Sequence, residues 1–401
     1  MRLTNEELQK VKEKYGVDTL YSWSKLETFR ISKYEYFLSY VLKRKADRED
    51  SIYGALGGQV HDTLEKFYSG EINYDDMYEC FEDAWTTCYD IAKLCFVRGD
   101  ETKNESIAEK YKTNLQHFFK NHKKIPHKIA LEKFLVAKIG DYVLQGYCDA
   151  LYRNKEGKYT IVDWKTSSYF NSKAAEEKCG QLVVYAQALM QTGIKVEDIL
   201  ICWNMLKYCN VEVSMKNGNK KVRTIERYKL GESLVSNARM WLKDCGYDEE
   251  ETDNYLKLLI DSNSIECLPI EIRSKYVIED CYVFVPLTEK LIERWNKEII
   301  DTIRDIEFRL ADYNETKSDK CFWDDEDSVK SQSYYMANLM GYSANLHKPY
   351  AEHLKRLEAA QNGTDMFSGI GADNETITTS SSNIINNKND DSDLSWLDNI
   401  F

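Results

Sequence analysis

An α/β fold built on a mixed sheet is what this 401-residue sequence predicts, and three observations carry it. Residues 142 to 150 and 158 to 165 each alternate with a period of two, and Asn154-Lys155-Glu156-Gly157 between them closes a hairpin. A helix follows Asn171, with Leu182, Ala186 and Leu189 recurring at helical spacing. Ile199-Leu200-Ile201-Cys202-Trp203 is then apolar throughout, as a strand covered on both faces should be.

Taken in order, residues 4–15 read as a short charged helix with Thr4 and Asn5 as candidate caps. Gly57 to His61 opens a helix whose apolar positions Val60, Leu64 and Phe67 repeat at helical spacing. Spacing alone makes His61 a packed or capping residue more often than a metal ligand. Residues 72–122 read as a helical, aromatic-rich insertion that can wall a substrate channel. Its histidines at 117 and 122 and its cysteines at 80, 88 and 95 have no ligand spacing and read as core and surface. The strand from Lys128 to Val136 puts Ala130, Glu132, Phe134 and Val136 on one face. Glu132 there is either a solvated edge residue or a site residue.

The chemistry centres on residues 141–185. Leu144, Gly146, Cys148 and Ala150 share one face of a strand, with Val143, Gln145, Tyr147 and Asp149 on the other. On the next strand Tyr159, Ile161, Asp163 and Lys165 share a face, with Val162 and Trp164 opposite. Two carboxylates and an ammonium at a buried strand end cost stability unless they pair or bind a cation. Magnesium answers that cost, being a hard cation held by a few carboxylates, water and substrate phosphate. Lys165 is then free to act on an attacking water or on charge developing at phosphorus. The competing reading is an exposed ion pair at Asp163 and Lys165, with Asp149 a solvated turn residue.

At these residues the chain resembles the PD-(D/E)XK nuclease superfamily, in its RecB-like exonuclease branch. That branch carries Gly-x-x-x-His on an upstream helix, a Gly-x-x-Asp strand, an Asp-x-Lys strand and Gln-x-x-x-Tyr on the following helix. Here they stand as Gly57 to His61, Gly146 to Asp149, Asp163-Trp164-Lys165 and Gln181 to Tyr185, and Glu132 fits a glutamate on the preceding strand. The resemblance covers roughly residues 20–210 and depends on five motifs in one order, each weak alone. It implies a restriction-endonuclease-like sheet in αβββαβ order, and a catalytic set of Lys165, Asp163, Asp149 and Glu132. It also implies Mg2+ or Mn2+ held by His61, Asp149 and Asp163 with the Trp164 carbonyl, and Gln181 and Tyr185, which share a helix face, facing the cleft to touch phosphate or base, the plain alternative being a buried tyrosine with a surface glutamine. Many members place Cys-Pro where this chain has Ser32-Lys33, that cysteine being the first ligand of an iron–sulfur cluster. Of the closing cysteines only Cys321 is present, followed by Asp324 and Asp325, so no iron–sulfur cluster is expected.

Past the core, Lys216-Asn217-Gly218 turns a second hairpin carrying Lys216, Lys220, Lys221, Arg223, Arg227 and Lys229. This is the most basic stretch of an acidic chain, and Lys220, Lys221 and Arg223 are candidates for DNA contact as well as for a solvated face. Leu287 to Leu310 reads as a long helix covering the sheet, with no chemistry assigned. From about Gln361 the composition turns to Asn, Ser, Thr and Asp, the signature of a disordered linker. It closes on Leu394, Trp396, Leu397, Ile400 and Phe401 among acidic residues, which suit a peptide docking into a partner's apolar pocket beside a basic rim. A frayed terminus is the plain alternative. This tail is similar to the sliding-clamp-binding tails of phage replication proteins, and more loosely to the acidic tips of single-strand-binding proteins.

Composition sets the bounds. The net charge is −13, of which residues 361–401 hold −6, so even the body is acidic and must bind nucleic acid through a local groove and metal ions. No apolar run approaches 18 residues and no signal peptide is evident, so a soluble cytoplasmic protein is expected, in the host cytoplasm if phage-encoded. Eleven cysteines, none closer than seven residues apart, make neither a disulfide framework nor an ordinary zinc site. The expected organisation is a nuclease domain over 1–355, with an insertion at about 72–122 and a helical extension at about 230–355, then a linker over 356–392 and a docking peptide over 393–401. The expected function is a metal-dependent DNA exonuclease acting on single strands or free ends in recombination, repair or replication. Two alternatives stand beside it: a non-catalytic DNA-binding scaffold recruited by the tail, and an RNA or structure-specific endonuclease of the same fold.

Overall fold

The computed structural model describes residues 3–343 and 347–361. They group into two compact units, one from residues up to 26 with 50–304, the other from 27–49 with the described residues from 305.

Helix α1 (Asn5–Tyr15) starts at Thr4, whose hydroxyl accepts from the Glu7 amide while the Glu7 carboxylate takes the Thr4 amide, satisfying two otherwise orphaned N–H groups. β1 (Tyr21–Ser22) leads into α2 (Trp23–Ile31) and the short α3 (Lys33–Tyr36). α4 (Ile52–Ser69) begins at Ile52 rather than at the expected Gly57, so His61 stands mid-helix, and it buries the expected stripe of Val60, Leu64 and Phe67 together with Leu56. α5 (Asp76–Trp85) and α6 (Glu101–Asn121) make up the insertion. β2 (Ile129–Ile139), β3 (Tyr142–Arg153) and β4 (Tyr159–Lys165) follow as an antiparallel run, β3 and β4 joined by a turn in which Gly157 takes φ +83°. After β4 come α7 (Ser172–Lys178), capped by Asn171, and α8 (Gly180–Met190). The long β5 (Ile199–Ser214) and β6 (Lys220–Glu226) form the second hairpin. α9 (Leu230–Asp244), α10 (Glu249–Ser262), α11 (Ile270–Arg273) and β7 (Tyr276–Val285) precede α12 (Glu289–Thr316). α13 (Glu326–Ser331), α14 (Ser333–Asn338) and α15 (Lys348–Gln361) complete the described chain.

The strands make one seven-stranded sheet in the order β1-β3-β4-β5-β6, with β2 added on β3 and β7 on β5. β1 runs parallel to β3, and β4 parallel to β5, from Tyr159 beside Ile199 to Lys165 beside Met205, while β2 with β3, β3 with β4, and β5 with β6 and β7 pair antiparallel. The sheet is therefore mixed, with α4, β2, β3, β4, α8 and β5 in the expected αβββαβ order. Beyond the core, Val211, Val213 and Ile225 of the second hairpin bury themselves against Leu234, Leu242, Leu256 and Leu259 of α9 and α10.

Three expectations need correction. The segment from 230 is not wholly helical: Tyr276–Val285 is a strand that pairs with β5 along two stretches, its alternation having gone unread. On β2 the buried side chains are Leu135, Ala137 and Ile139, the opposite parity to the expected face; Glu132 itself adopts a left-handed φ of +43° and drops out of the pairing with β3, whose register is the same on either side of it. The helix after Asn171 is broken at Cys179, and its second half is buried nearly all round. A Cβ on Gly180 would lie 2.0 Å from the Trp23 ring, so glycine admits the Trp23 and Trp295 indoles against this helix start.

In the second unit Ser32 caps α3, accepting from the Glu35 amide and donating to the buried Asp324 at 2.8 Å. Asp324 also accepts from the Lys33 amide and the Tyr350 hydroxyl, and the Tyr34 and Tyr350 rings stack 3.7 Å apart. The Cys321 thiol lies against the Arg309 and Ser318 carbonyls. No described helix is long and apolar enough to cross a membrane. The tail residues Leu394, Trp396, Leu397, Ile400 and Phe401 lie outside the described residues.

Candidate active site

The site forms where β3 and β4 stop exchanging ladder hydrogen bonds. Their register runs from Arg153 beside Tyr159 to Ala150 beside Val162. One residue further, the Trp164 amide donates to the Asp149 carboxylate at 2.8 Å, so a side chain takes the place of a backbone acceptor. That bond fixes Asp149 beside Asp163.

Asp163 is 2 % exposed and meets the Lys165 ammonium at 2.8 Å, as the shared strand face requires. Its Oδ2 has no hydrogen bond of normal geometry despite that short charge pairing. The Asp149 carboxyl is pushed well above the usual carboxylate range, first by burial and then by the negative charge of Asp163, with Lys165 and the Trp164 amide pulling the other way.

His61 of α4 closes the cluster. Its Nε2 lies 2.9 Å from the Trp164 carbonyl and its Nδ1 3.6 Å from Asp149. Burial lowers the imidazole's basicity below its ordinary value, outweighing the opposing pull of Asp163. A neutral ring must then donate through Nε2, since a carbonyl only accepts, and it turns the Nδ1 lone pair towards the Asp149 carboxylate. Two acceptors facing each other call for a proton or a cation between them. The donor set of two carboxylates, an imidazole and a carbonyl oxygen is one that Mg2+ or Mn2+ takes. Among the described residues no three His, Cys, Asp or Glu side chains are gathered at ligand distance: Asp163 is turned to Lys165, and the imidazole to Trp164. The residues thus fit such an ion by their chemistry, with their present contacts made to one another.

Glu132 belongs to this neighbourhood. Leu131 and Lys133 hold their register with Ala150 and Cys148, so Glu132 sits at the level of Asp149. Its charge is felt by His61 and Asp149 alike. Its left-handed backbone costs on the order of 1 kcal/mol in a non-glycine residue, strain of the kind that collects at functional sites.

Gln181 and Tyr185 lie one turn apart on α8 and bond to each other and to β3. The Gln181 amide donates to the Tyr185 hydroxyl at 3.1 Å, and that hydroxyl donates to the Tyr147 carbonyl at 2.7 Å. Tyr185 is 4 % exposed, and its ring lies so close to Gly146 that a Cβ there would stand 2.7 Å from Oη. The pair is a strut against the strand that carries Asp149, with the Tyr185 hydroxyl within electrostatic reach of Asp163 and Asp149 and the Gln181 side chain half-buried.

The basic hairpin is also less available than its sequence suggested. Lys220 pairs with Glu212 at 2.5 Å and Lys216 with Asp244 at 2.7 Å. Arg227 is 1 % exposed and bound to Asp280 at 2.6 Å, so it adds nothing to a surface. Lys221 and Arg223 remain exposed on β6, but Arg223 pairs with Val211, six residues and roughly 20 Å along β5 from Met205 beside Lys165.

Sequence reasoning missed three neighbours. Glu65 lies one helical turn past His61, and its carboxyl is pushed up by partial burial and by the charges of Glu132 and Asp62. The i, i+4 spacing from His61 was the available signal. Tyr68, a further turn along in sequence, stacks on Trp164 with centroids 6.1 Å apart and ring planes 12° from parallel. The third is His122, expected as plain core or surface. It connects Tyr68 to Asp280: its Nε2 lies 2.8 Å from the Tyr68 hydroxyl and its Nδ1 2.7 Å from the Asp280 carboxylate. Only the fold brings positions 68, 122 and 280 together.

A family model described as the PD-(D/E)XK nuclease superfamily matches residues 21–323. A search of curated proteins finds no match.

Proposed function

From the premise that this chain belongs to the PD-(D/E)XK nuclease superfamily, we propose that it is a metal-dependent DNA exonuclease working in recombination, repair or replication. The observation that carries the reading is the buried Asp163–Lys165 pair at 2.8 Å beside an Asp149 held at elevated pKa. A module that only bound DNA would have no use for so costly a cluster.

Asp149, Asp163 and His61, with the Trp164 carbonyl, would hold Mg2+ or Mn2+. Such an ion supplies Lewis-acid charge that eases deprotonation of water and neutralises phosphoryl oxygens. The protein's own contribution is orientation and charge. The Trp164 amide fixes the Asp149 carboxylate, and the Trp164 carbonyl fixes the imidazole. Lys165 presents an ammonium that orients the attacking water and meets the negative charge growing on phosphorus. Water adds to phosphorus, the bond to the leaving sugar oxygen breaks, and that oxygen leaves with a proton. Glu132 adds negative charge at the Asp149 level. The Gln181–Tyr185 strut keeps β3 in place.

Two finer proposals complete the reading. The substrate is DNA with a free end, and the site of action is the cytoplasm. The terminal Leu394, Trp396, Leu397, Ile400 and Phe401 dock into a replication partner, a sliding clamp or a single-strand-binding protein.

The deciding experiment is degradation of 5′-labelled and 3′-labelled single- and double-stranded DNA in magnesium, manganese or EDTA, beside Asp163→Ala and Lys165→Ala. Cleavage from ends that EDTA and both substitutions abolish is the expected result. DNA binding with no cleavage in either metal would overturn the enzyme reading, and internal cuts in circular DNA would overturn the exonuclease one.

A further inference from the structure

Lys120, Lys123, Lys124 and Lys128 are exposed at the end of α6 and on its connector to β2, and none of them meets a carboxylate among the described residues. The sequence offers them no partner nearby, since from Lys110 to Leu131 it has six lysines and no Asp or Glu. Half of the cations on the β6 hairpin are by contrast taken up by Glu212, Asp244 and Asp280. The connector beneath the lysines is tied down. The Lys123 amide donates to Asp280 at 3.0 Å and the Ile125 amide to the Tyr68 hydroxyl at 3.1 Å, while the Lys120 and His122 carbonyls accept from the Tyr74 hydroxyl. The Tyr68 ring stacks on Trp164, so the connector is braced against the residue whose amide and carbonyl hold Asp149 and His61. Two of the ammonium groups also rest on aromatic faces: Lys120 stands 4.2 Å from the Tyr78 centroid and Lys124 4.9 Å from that of Phe67. Side chains ordered in this way lose less freedom when a ligand arrives.

Two rulers tie this surface to the cluster at Asp149 and His61. Along β3, Tyr152 stacks on His127 of the connector with ring centroids 5.5 Å apart, and it lies three residues, about 10 Å, past Asp149. Along α4, the Phe67 that carries Lys124 lies six residues, about 9 Å, past His61. Both distances come to about three rises of a DNA strand. The charges are complementary to such a strand. At the cluster carboxylates call for metal ions, and beyond it a series of unpaired ammonium groups calls for a polyanion with phosphates at regular intervals.

We propose that Lys120, Lys123, Lys124 and Lys128 form the surface that holds the DNA backbone about three nucleotides from the scissile bond. The proposal rests on the nuclease reading for its substrate and for the place of the scissile phosphate. It gives the end of the helical insertion, rather than the β6 hairpin, the task of gripping the strand. The grip carries no sequence preference, because an ammonium on a flexible stem meets phosphate as a point charge and does not read a base edge.

The test is equilibrium binding of a short fluorescein-labelled single strand to the full chain in EDTA, by anisotropy across a salt series. The proteins compared are the unsubstituted protein, the triple variant Lys123→Gln, Lys124→Gln, Lys128→Gln, the same three positions changed to Arg, and the double variant Lys221→Gln, Arg223→Gln. Each phosphate contact contributes about 0.7 to the slope of log K against log salt. The triple Gln variant is therefore expected to have a slope shallower by about 2 and, with an unchanged intercept at 1 M, an affinity about a hundredfold lower at 0.1 M salt. The triple Arg variant keeps its charges and is expected to keep the slope. An unchanged slope in the triple Gln variant overturns the surface, and so does a slope loss found in the Lys221→Gln, Arg223→Gln variant instead, or no binding by the unsubstituted protein. If the triple Gln variant fails to fold, Lys123→Gln with Lys128→Gln, which leaves both ring contacts in place, decides: a slope shallower by about 1.4 supports the surface and an unchanged one overturns it. Cleavage in magnesium on the same preparations judges the nuclease reading separately. Cleavage with binding indifferent to the lysines removes the surface and leaves the enzyme, whereas binding that falls in the triple Gln variant with no cleavage by the unsubstituted protein leaves the DNA surface and removes the enzyme.

Discussion

Gly146→Ala adds one methyl to the protein and removes no functional group, so it isolates what the Gln181–Tyr185 strut does. The new Cβ would stand 2.7 Å from Tyr185 Oη, 2.8 Å from Cε1 and 3.2 Å from Cζ. Ordinary carbon contacts lie at roughly 3.5–4.0 Å, so the ring must retreat by about 1 Å. Tyr185 is 4 % exposed and held at Oη by Tyr147 and Gln181, which leaves that retreat no free direction. Overpacking costs about 1–3 kcal/mol, and loss of the bond to the Tyr147 carbonyl adds about 1 kcal/mol, for a total of roughly 2–4 kcal/mol. That is a large part of the 5–15 kcal/mol typical of a folded domain. Because β3 carries Asp149, a displacement of this size also lowers cleavage, by about a hundredfold where a reacting group is misplaced by 1 Å. Urea unfolding followed by tryptophan fluorescence, with the DNA cleavage assay beside it, reads both effects. Tyr185→Phe keeps the ring and loses only the hydroxyl, and is expected to cost about 1 kcal/mol without changing affinity for DNA. A Gly146→Ala protein within about 0.5 kcal/mol of the parent and fully active would refute the packing argument. A Tyr185→Phe protein of unchanged stability but weaker DNA binding would return Tyr185 to the substrate surface.

Asp280→Ala strands the buried Arg227 guanidinium and unpairs His122, and is expected to cost about 3–5 kcal/mol in urea unfolding at neutral pH. Burial alone would raise the Asp280 carboxyl, but the hydrogen bond and charge of His122 and the charge of Arg227 hold it below its ordinary value. Its contribution is therefore present above about pH 4 and lost as pH falls through the lowered folded value, so the gap between parent and variant should narrow in acid; a gap of constant size would contradict this. For Asp149→Asn in EDTA the sign reverses. The folded carboxyl is raised, so stability falls as pH climbs from the unfolded carboxylate value of about 4 up to that raised value and stays reduced above it. The variant should match the parent in acid and become the more stable of the two as pH climbs, while losing cleavage. Equal stabilities at every pH would show that Asp149 is not strained by its surroundings. Glu132→Gly relieves a left-handed backbone worth on the order of 1 kcal/mol, so melting temperature should hold or rise while cleavage falls; a clear loss of stability would mean that the side chain, not the backbone, is what the site accommodates.

The sequence by itself determined the local elements and the order of the motifs. Alternation about Asp149 and Asp163, the Asn154–Gly157 turn and the Val60, Leu64 and Phe67 stripe depend on neighbours within a few residues, and all three stand as expected. The Asp163–Lys165 pairing was legible for the same reason, because a period of two places both on one face. Tertiary structure decided the rest. Whether Tyr185 meets substrate or a carbonyl depends on Gly146 lying beneath its ring, 39 residues earlier in the chain, and whether Arg227 is a surface charge depends on Asp280 being folded against it. Burial and partner choice are long-range quantities, so a basic run reads the same whether its charges face water or each other. Glu132 shows the limit most plainly. Its residue type and place were readable, but the left-handed turn that takes it out of the pairing with β3 beside Asp149 belongs to the assembled sheet, and no periodicity in eleven residues of strand announces it.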